Sequence, residues 1–592
     1  MTELQNKTYT INIGTDSFKE MATRNNLFVD KTSFISKLLG SGYHVTLITR
    51  PRRWGKTLNM TMLQYFFGIP VKNTGEIDEE ESVKRQNVFS KLKIGECSEI
   101  LENYLGKFPV IFVSFKEIKG ESLEIIEMKI KELIYDLFET HKYLLLSDKL
   151  SESQKILFKK FITKSFDLAE LEKSLFYLSK MLSTHFDQKV FILIDEYDTP
   201  LNDWYALQLA QETVSESEDI YFKKILNLFG GIFSSALKGN DFLEKGVVTG
   251  ILRGAKASLF SGLNNLGEDS ILDEEYAEYF GFTEKEVNTL LNKSGLDKNS
   301  KTAEDLKFWY NGYNIGGVTI YNPWSIMNCL NRKGMLKAYW VGTANTALIE
   351  RALILDKFQE EMQILIQGGS VEMLADPKMV FVDIKSSPNA LYNLLLFSGY
   401  LTANSIQNEK AGMYRCNVRI PNREVQEVFE ISSMSWISQK LKIEMNEYNA
   451  FLDYLLKGDI DVFTQKLKDY LESSASFFST GSKNAELFYN GFILGLVSAV
   501  SSNYYIETER ESGLGRIDLL FIPMPGARYQ NALILEFKFG KPQIDLSSLA
   551  QKALKQIEEK NYGAKLKAYK NIVSTFKVGV AFRGKDVAVA FQ

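Results

Sequence analysis

The sequence predicts an α/β protein with a parallel sheet in its first part and a second α/β unit at its C-terminus. Two observations carry that expectation. Short, near-continuous apolar runs alternate with long helical stretches up to about residue 265, and a second set of apolar runs returns after about residue 445. A third observation is a basic turn with one glycine, RPRRWGKT (50–57), set between the first apolar run and a helical stretch.

The first four runs are YHVTLITR (43–50), FPVIFVSF (108–115), KVFILIDE (189–196) and KGVVTGIL (245–252). Runs of this kind belong to parallel strands buried on both faces, with helices above and below. Residues 1–265 therefore read as one α/β domain. Residues 266–385 read as a mostly helical lid or subdomain with aromatic clusters at FWYNGY (308–313) and YNPW (321–324). Residues 386–444 give a helix (NALYNLLLFSG), a strand (YLTANSI), a turn at Asn408–Lys410, a second strand (MYRCNVRIP) and a further helix from near Asn422. That order fits a winged helix, and it fits other small α+β units as well. Residues 445–592 give two helices (445–472 and 483–501), a hairpin of RIDLLFI and ALILEFKF, a helix at about 546–560, and a last strand pair, NIVSTFKVGVAF and DVAVAF.

At 592 residues the chain is too long for one core and predicts three or four domains, at roughly 150 residues each. With 45% hydrophobic and 24% charged residues and 11 prolines, neither a fibre nor a disordered chain is indicated. Cys97, Cys329 and Cys416 follow no metal or disulfide spacing, which favours a reducing compartment. The N-terminal MTELQNKTYTINIG lacks the regions of a signal peptide, and no run of about eighteen apolar residues is present. A cytoplasmic protein without membrane association is the expectation. The net charge of −4 does not point to nucleic acid, but Lys541–Gln592 holds ten Lys or Arg against four Asp or Glu. With only His44, His141 and His185 in the chain, chemistry built on histidine is not expected; carboxylates, lysine and metal must carry it.

LITRPRRWGKTLNMTMLQYFF reads as a buried strand, a tight basic turn and a helix starting near Lys56. A phosphate loop needs that order, because backbone N–H groups of the turn and helix N-terminus wrap the phosphates. Against G-x-x-x-x-G-K-[ST] the first glycine is replaced by Arg50, while Gly55, Lys56 and Thr57 are intact. Lys56 is expected at the β and γ phosphates of ATP and the Thr57 hydroxyl on Mg²⁺. Arg52, Arg53 and Trp54 sit inside the same loop. The bland alternative is a basic turn capping a helix. Against it stands FILIDEYDTP, which places Asp195 and Glu196 at the carboxyl end of a buried strand, where ligands bind in open α/β sheets. Asp195 would complete the Mg²⁺ shell, and Glu196 would orient or deprotonate the attacking water. Thr249 ends the next strand and is a candidate γ-phosphate sensor. Arg253 or Lys256 could neutralise that phosphate, in cis or across a subunit boundary of a homo-oligomer, or could simply be solvated turn residues.

In the C-terminal hairpin Asp518 stands on one strand and Glu536-Phe537-Lys538 on the next. Strand side chains alternate, so Glu536 and Lys538 share a face that Asp518 can join. Two carboxylates and a lysine suit metal-dependent phosphodiester cleavage, with Mg²⁺ or Mn²⁺. A hairpin salt-bridge ladder is the alternative. Glu486 on the preceding helix and Gln556 on the following one could face the same pocket.

The residues resemble a known family at this point. FVDKT (28–32), RPRRWGKT, ILIDEYDTPL (192–201), TGILRGAKASLFSGLNNL (249–266), WYNGY, YNPW, ELFYNGFILGL, ESGLGRIDLL and LEFK, with QI followed by Tyr562, resemble bacterial AAA-ATPase-like proteins with a C-terminal PD-(D/E)XK nuclease-superfamily domain. The resemblance implies a P-loop ATPase of AAA or STAND-like type joined to a restriction-endonuclease-like fold. It also implies that Glu486, Asp518, Glu536, Lys538 and Gln556 fall at that superfamily's acidic, metal and lysine positions, and that Glu511, Gly513, Gly515 and Arg516 belong to its motif. The expected function is an ATP-dependent enzyme acting on nucleic acid, DNA before RNA, in which nucleotide state controls a nuclease. Two alternatives are a nucleotide-switched binding protein with an idle nuclease fold, and a protein-remodelling ATPase.

Overall fold

The computed structural model describes residues 9–120, 122–201, 216–252, 266–296, 300–340, 349, 353, 356–377, 388–473, 482–510, 517–540, 543–559 and 566–592. The chain divides into two compact units. The first comprises Met1–Ala344 and Glu372–Glu424, the second Asn345–Val371 and Val425–Gln592.

Unit one is built on a five-stranded sheet of β1 (Val45–Thr49), β2 (Val110–Ser114), β3 (Val190–Asp195), β4 (Leu243–Gly250) and β5 (Leu266–Asp269). Their order is β2-β3-β4-β1-β5, and every pairing is parallel. β1 and β3 are buried along their whole length, as continuous apolar runs covered on both faces must be. β5, with the sequence LGED, carries no apolar run and lies in the stretch read as helical; its pairing to β1 supplies what its composition does not. Helices Ser33–Gly40 and Lys56–Phe67 bring Phe34, Met60, Phe66 and Phe67 into one core with Phe191, Leu193 and Val247 of the sheet. Phe67 stacks on Phe191 at 4.1 Å. Helix Glu216–Leu237 packs through Phe229 and Phe233 onto Phe115.

Beyond β5 come helices Glu284–Ser294, Ser300–Tyr310 and Pro323–Asn331, with the short hairpin of β6 (Tyr313–Ile315) and β7 (Val318–Ile320) between the last two. Their core joins Leu290, Leu306, Tyr310 and Ile326 to Leu27. The YNPW segment is a helix start. Asn322 accepts from the N–H groups of Trp324 and Ser325, and Pro323 takes the first turn, where a missing N–H costs nothing. A three-stranded sheet follows, ordered β8 (Val371–Ala375), β10 (Tyr414–Arg419) and β9 (Thr402–Asn408), and helix Pro388–Phe397 lies between β8 and β9 in sequence. Helix Arg423–Leu441 then spans the division between the units.

In unit two, helices Met445–Lys457 and Ile460–Ser473 are separate, broken at Gly458, whose φ of 95° ends the first. The sheet runs β11 (Tyr504–Arg510), β12 (Ile517–Pro523), β13 (Asn531–Phe539), β14 (Ser574–Arg583) and β15 (Asp586–Phe591). β13 and β14 are parallel and the other neighbours antiparallel. Helix Leu546–Glu559 forms the crossover between that parallel pair, burying Leu546, Ala550, Ala553 and Ile557. β11 is the strand the sequence reading lacks: YYIETER is too polar to show as an apolar run. Among the described residues, no helix is long and apolar enough to cross a membrane.

Candidate functional site

At the end of β1 the chain turns through Pro51–Trp54 into helix Lys56–Phe67, whose N-cap is Gly55 at φ 79°. A side chain is strained in that left-handed conformation, which is one reason for glycine here. Lys56 is buried. Its Nζ donates to the carbonyls of Arg50 at 3.1 Å and Pro51 at 3.0 Å. Burial pushes its ammonium below the ordinary value, against the pull of Glu196, Asp198 and Asp195.

The carboxylate of Asp195, at the end of β3, collects three hydroxyls. Thr57 donates to Oδ2 at 2.8 Å, Ser114 of β2 to the same oxygen at 3.3 Å, and Thr249 of β4 to Oδ1 at 2.6 Å. Loop, β2, β3 and β4 therefore meet on one acid. Burial and the neighbouring Glu196 push the Asp195 carboxyl up, while the hydroxyls of Thr249 and Thr57 pull it down. Glu196 has a φ of 50°, an uncommon conformation for a non-glycine residue, and accepts from Thr199 at 3.3 Å. Asp198 is buried and accepts from the N–H groups of Ile251 and Leu252, both at 2.9 Å, while Tyr197 donates to the Leu252 carbonyl at 2.7 Å. The segment after β3 thus fixes the exit of β4. Arg253 and Lys256 lie just past it, outside the described residues.

Glu196, Lys56, Thr57, Arg52 and Arg53 line one cavity of about 370 Å³, whose remaining wall includes Trp324 and Met327. Arg53 lies over the Trp324 ring at 4.3 Å. Lys116, just past β2, lines the same cavity without having been singled out from sequence; an isolated surface lysine gave no signal there. Trp54 is almost fully buried, its ring edge-on to Tyr313 at 4.9 Å. Arg50, at the position of the missing first glycine, is fully buried and forms an ion pair with Asp269 at the end of β5. It also donates to the Thr49 carbonyl at 2.8 Å and lies over Phe280 at 5.5 Å. Burial pushes Asp269 up to about 6, opposed by Arg50.

In unit two the ladder sets Asp518 of β12 directly opposite Glu536 of β13. Glu536 is fully buried, and Lys538 lies 3.3 Å from it on the same strand face. Glu486 falls in helix Ser482–Val500. The side chains of Glu486 and Asp518 and the whole of Glu511–Arg516 are outside the described residues. Gln556 stands on the crossover helix, its Oε1 buried with no hydrogen-bond partner among the described residues. No group of three or more metal-binding side chains assembles among the described residues.

A parallel sheet with a phosphate loop after β1 and an acid-tipped β3 one strand away, across β4, defines a P-loop-type nucleotide-binding domain, here joined to a mixed-sheet domain with the crossover of the PD-(D/E)XK fold. The family comparisons agree with both. Residues 12–260 match the model of the predicted AAA-ATPase family, and residues 484–592 that of the PD-(D/E)XK nuclease superfamily. The chain is 24% identical over 551 residues to an uncharacterized protein in the vnfD 5′ region of Azotobacter chroococcum mcd 1, covering 91% of this chain and 90% of that one. No solved structure matches.

Proposed function

We propose that the chain binds and hydrolyses ATP with Mg²⁺ at the first site, and that its nucleotide state controls a metal-dependent nuclease in the C-terminal domain. The observation that carries the ATPase reading is the 2.8 Å bond between Thr57 and Asp195, a hydroxyl and a carboxylate already sharing the place where one cation would take both oxygens. Mg²⁺ there would neutralise charge on the β and γ phosphates. Lys56 would leave the carbonyls of Arg50 and Pro51 for those phosphates. Glu196, on the cavity wall, would orient water, and Thr249, on the far side of Asp195, would meet the γ-phosphate. Arg52 and Arg53 would contact phosphate oxygens, with Trp54 anchoring the loop from below.

In the second site Asp518, Glu536 and Glu486 would hold the metal, which would supply Lewis-acid activation of water. Lys538 would position that water or offset developing charge. The exposed Lys552, Lys555, Lys567 and Lys570 suit a phosphate backbone, with DNA the preferred target. The closed Glu536–Lys538 pair favours a second reading, in which the nuclease fold is idle and only binds. Incubating the purified chain with ATP, Mg²⁺ or Mn²⁺ and a panel of DNA and RNA substrates tests both. Cleavage supports the first; binding without cleavage supports the second; absence of ATP turnover removes the ATPase reading.

A further inference from the structure

The outer turn of the phosphate loop is held by a residue far away in sequence. Trp340 is buried, and its indole N–H donates to the carbonyl of Arg52 at 3.2 Å. The backbone N–H of the same Trp340 donates to Glu424 Oε1 at 2.8 Å, and Glu424 Oε2 accepts from Ser325 at 2.7 Å. Glu424 is fully buried in the first turn of helix Arg423–Leu441, where the helix dipole favours a negative charge. Neighbouring contacts complete the clamp. The Trp340 ring meets Tyr400 at 5.1 Å, and a side chain on Gly399 would strike Pro51 at 2.9 Å.

The same helix continues as part of unit two, where it lies against helix Ser482–Val500. A Cβ on Gly491 would fall 2.0 Å from the Trp436 ring, and one on Gly495 would fall 2.7 Å from Ile437, so the two helices touch backbone to side chain. Gln426 donates to Glu430 at 2.9 Å, and Glu430 accepts from Ser501 at the end of helix Ser482–Val500. Glu486 lies on that helix, less than two turns before Gly491.

We propose that Trp340 and Glu424 form a relay that couples nucleotide occupancy of the phosphate loop to helix Arg423–Leu441, and through it to the helix that carries Glu486. The proposal rests on the ATP-binding reading above. Lys56 holds the Arg50 and Pro51 carbonyls until phosphate draws it away. That exchange occurs one residue from the carbonyl that Trp340 holds. Trp340 and Glu424 are positioning residues in this scheme, since neither needs to touch nucleotide. A tightly packed interface shifts between discrete arrangements rather than deforming continuously. The contacts at Gly491 and Gly495 leave little room for slack, so a displacement of Glu424 is passed on rather than absorbed.

The test is amide hydrogen exchange across residues 425–441 in the full chain, with and without the unhydrolysed analogue AMP-PNP and Mg²⁺. In the unmodified chain the analogue should change exchange there by about fivefold or more, the lower end of ordinary coupling. Trp340→Phe keeps an aromatic ring of smaller size but removes the indole N–H. It should lose that response while its analogue affinity falls by roughly tenfold at most, the effect of one neutral hydrogen bond. Glu424→Leu removes both acceptor oxygens at the other end of the relay and should blunt the response in the same way, which keeps the test decisive if the first variant misfolds. A full exchange response in a folded, analogue-binding Trp340→Phe or Glu424→Leu variant overturns the relay. So does analogue binding by the unmodified chain with no response in this helix. Failure of the unmodified chain to bind the analogue overturns the phosphate-loop reading instead, and the relay falls with it.

Discussion

Arg50 occupies the position where the commonest phosphate-loop pattern has glycine, and its surroundings predict what replacing it does. It is fully buried and paired with Asp269, itself only 4% exposed. Arg50→Met keeps most of the volume and leaves Asp269 as an uncompensated buried acid. Breaking a buried pair from one side costs about 3–5 kcal/mol. Unit one holds about 400 residues, so at ~2.1 cal/mol/K of unfolding entropy per residue each kcal/mol is worth about 1 °C, and its melting temperature should fall by roughly 4–6 °C. The sign of the pH effect follows from Asp269, whose folded-state pKa is about 6, above the ordinary carboxylate value. The folded state therefore binds the proton more tightly than the unfolded one, and the acid weakens folding as pH rises through that interval. Without Arg50 the pKa rises further, so the loss should be largest near pH 8 and much smaller near pH 5. The double variant Arg50→Met/Asp269→Leu removes both charges and should regain most of the loss. Thermal and urea unfolding followed by tryptophan fluorescence at the two pH values measure all three quantities. An Arg50→Met protein as stable as the parent at pH 8, yet poor in ATP binding, would refute the argument and make Arg50 a phosphate ligand.

Lys56→Ala is expected to weaken ATP binding and abolish turnover, read by nucleotide titration and phosphate release; unchanged affinity would remove the phosphate-loop assignment. Glu196→Gln should still bind ATP while hydrolysing it slowly, because Asp195 and Thr57 remain; identical behaviour of Asp195→Asn would show the division of roles to be wrong. Asp518→Ala, Glu536→Ala and Lys538→Ala should each abolish cleavage of nucleic acid with ATP turnover nearly intact, and any double variant should look like a single one. Folding must be measured beside them, since losing Lys538 takes a cationic partner from a buried acid, and cleavage surviving in folded Glu536→Ala protein would leave a binding or structural domain.

The elements legible in the sequence were those whose composition alone encodes them. β1 and β3 announce themselves as VTLIT and VFILID because both faces are buried. β5 and β11 do not, since LGED and YYIETER owe their conformation to a neighbouring strand already in place. The cluster of Thr57, Asp195 and Thr249 could be anticipated because each ends or follows an apolar run in a parallel sheet, which brings such ends together. Ser114 ends β2 in the same way but within a run that closes on a further phenylalanine, which hid it. The Arg50–Asp269 pair and the Arg52–Trp340–Glu424 path join residues with no local pattern between them. Only the folded chain brings such residues together.

The second unit is assembled from two stretches of chain, and that has a consequence for synthesis. Helix Asp356–Ile366 leaves the ribosome well before helix Ser482–Val500, to which its Gln363 side chain bonds at Asn490 in a buried contact of 3.3 Å. At roughly 5–20 residues per second, the earlier helix waits on the order of ten seconds for its partner. During that interval Phe358, Met362 and Leu365, all buried in the finished protein, have no completed core to enter. The nascent chain thus carries an apolar helix face while the residues between the two helices are made, a natural docking point for a holding chaperone and a stretch where slowed translation favours aggregation.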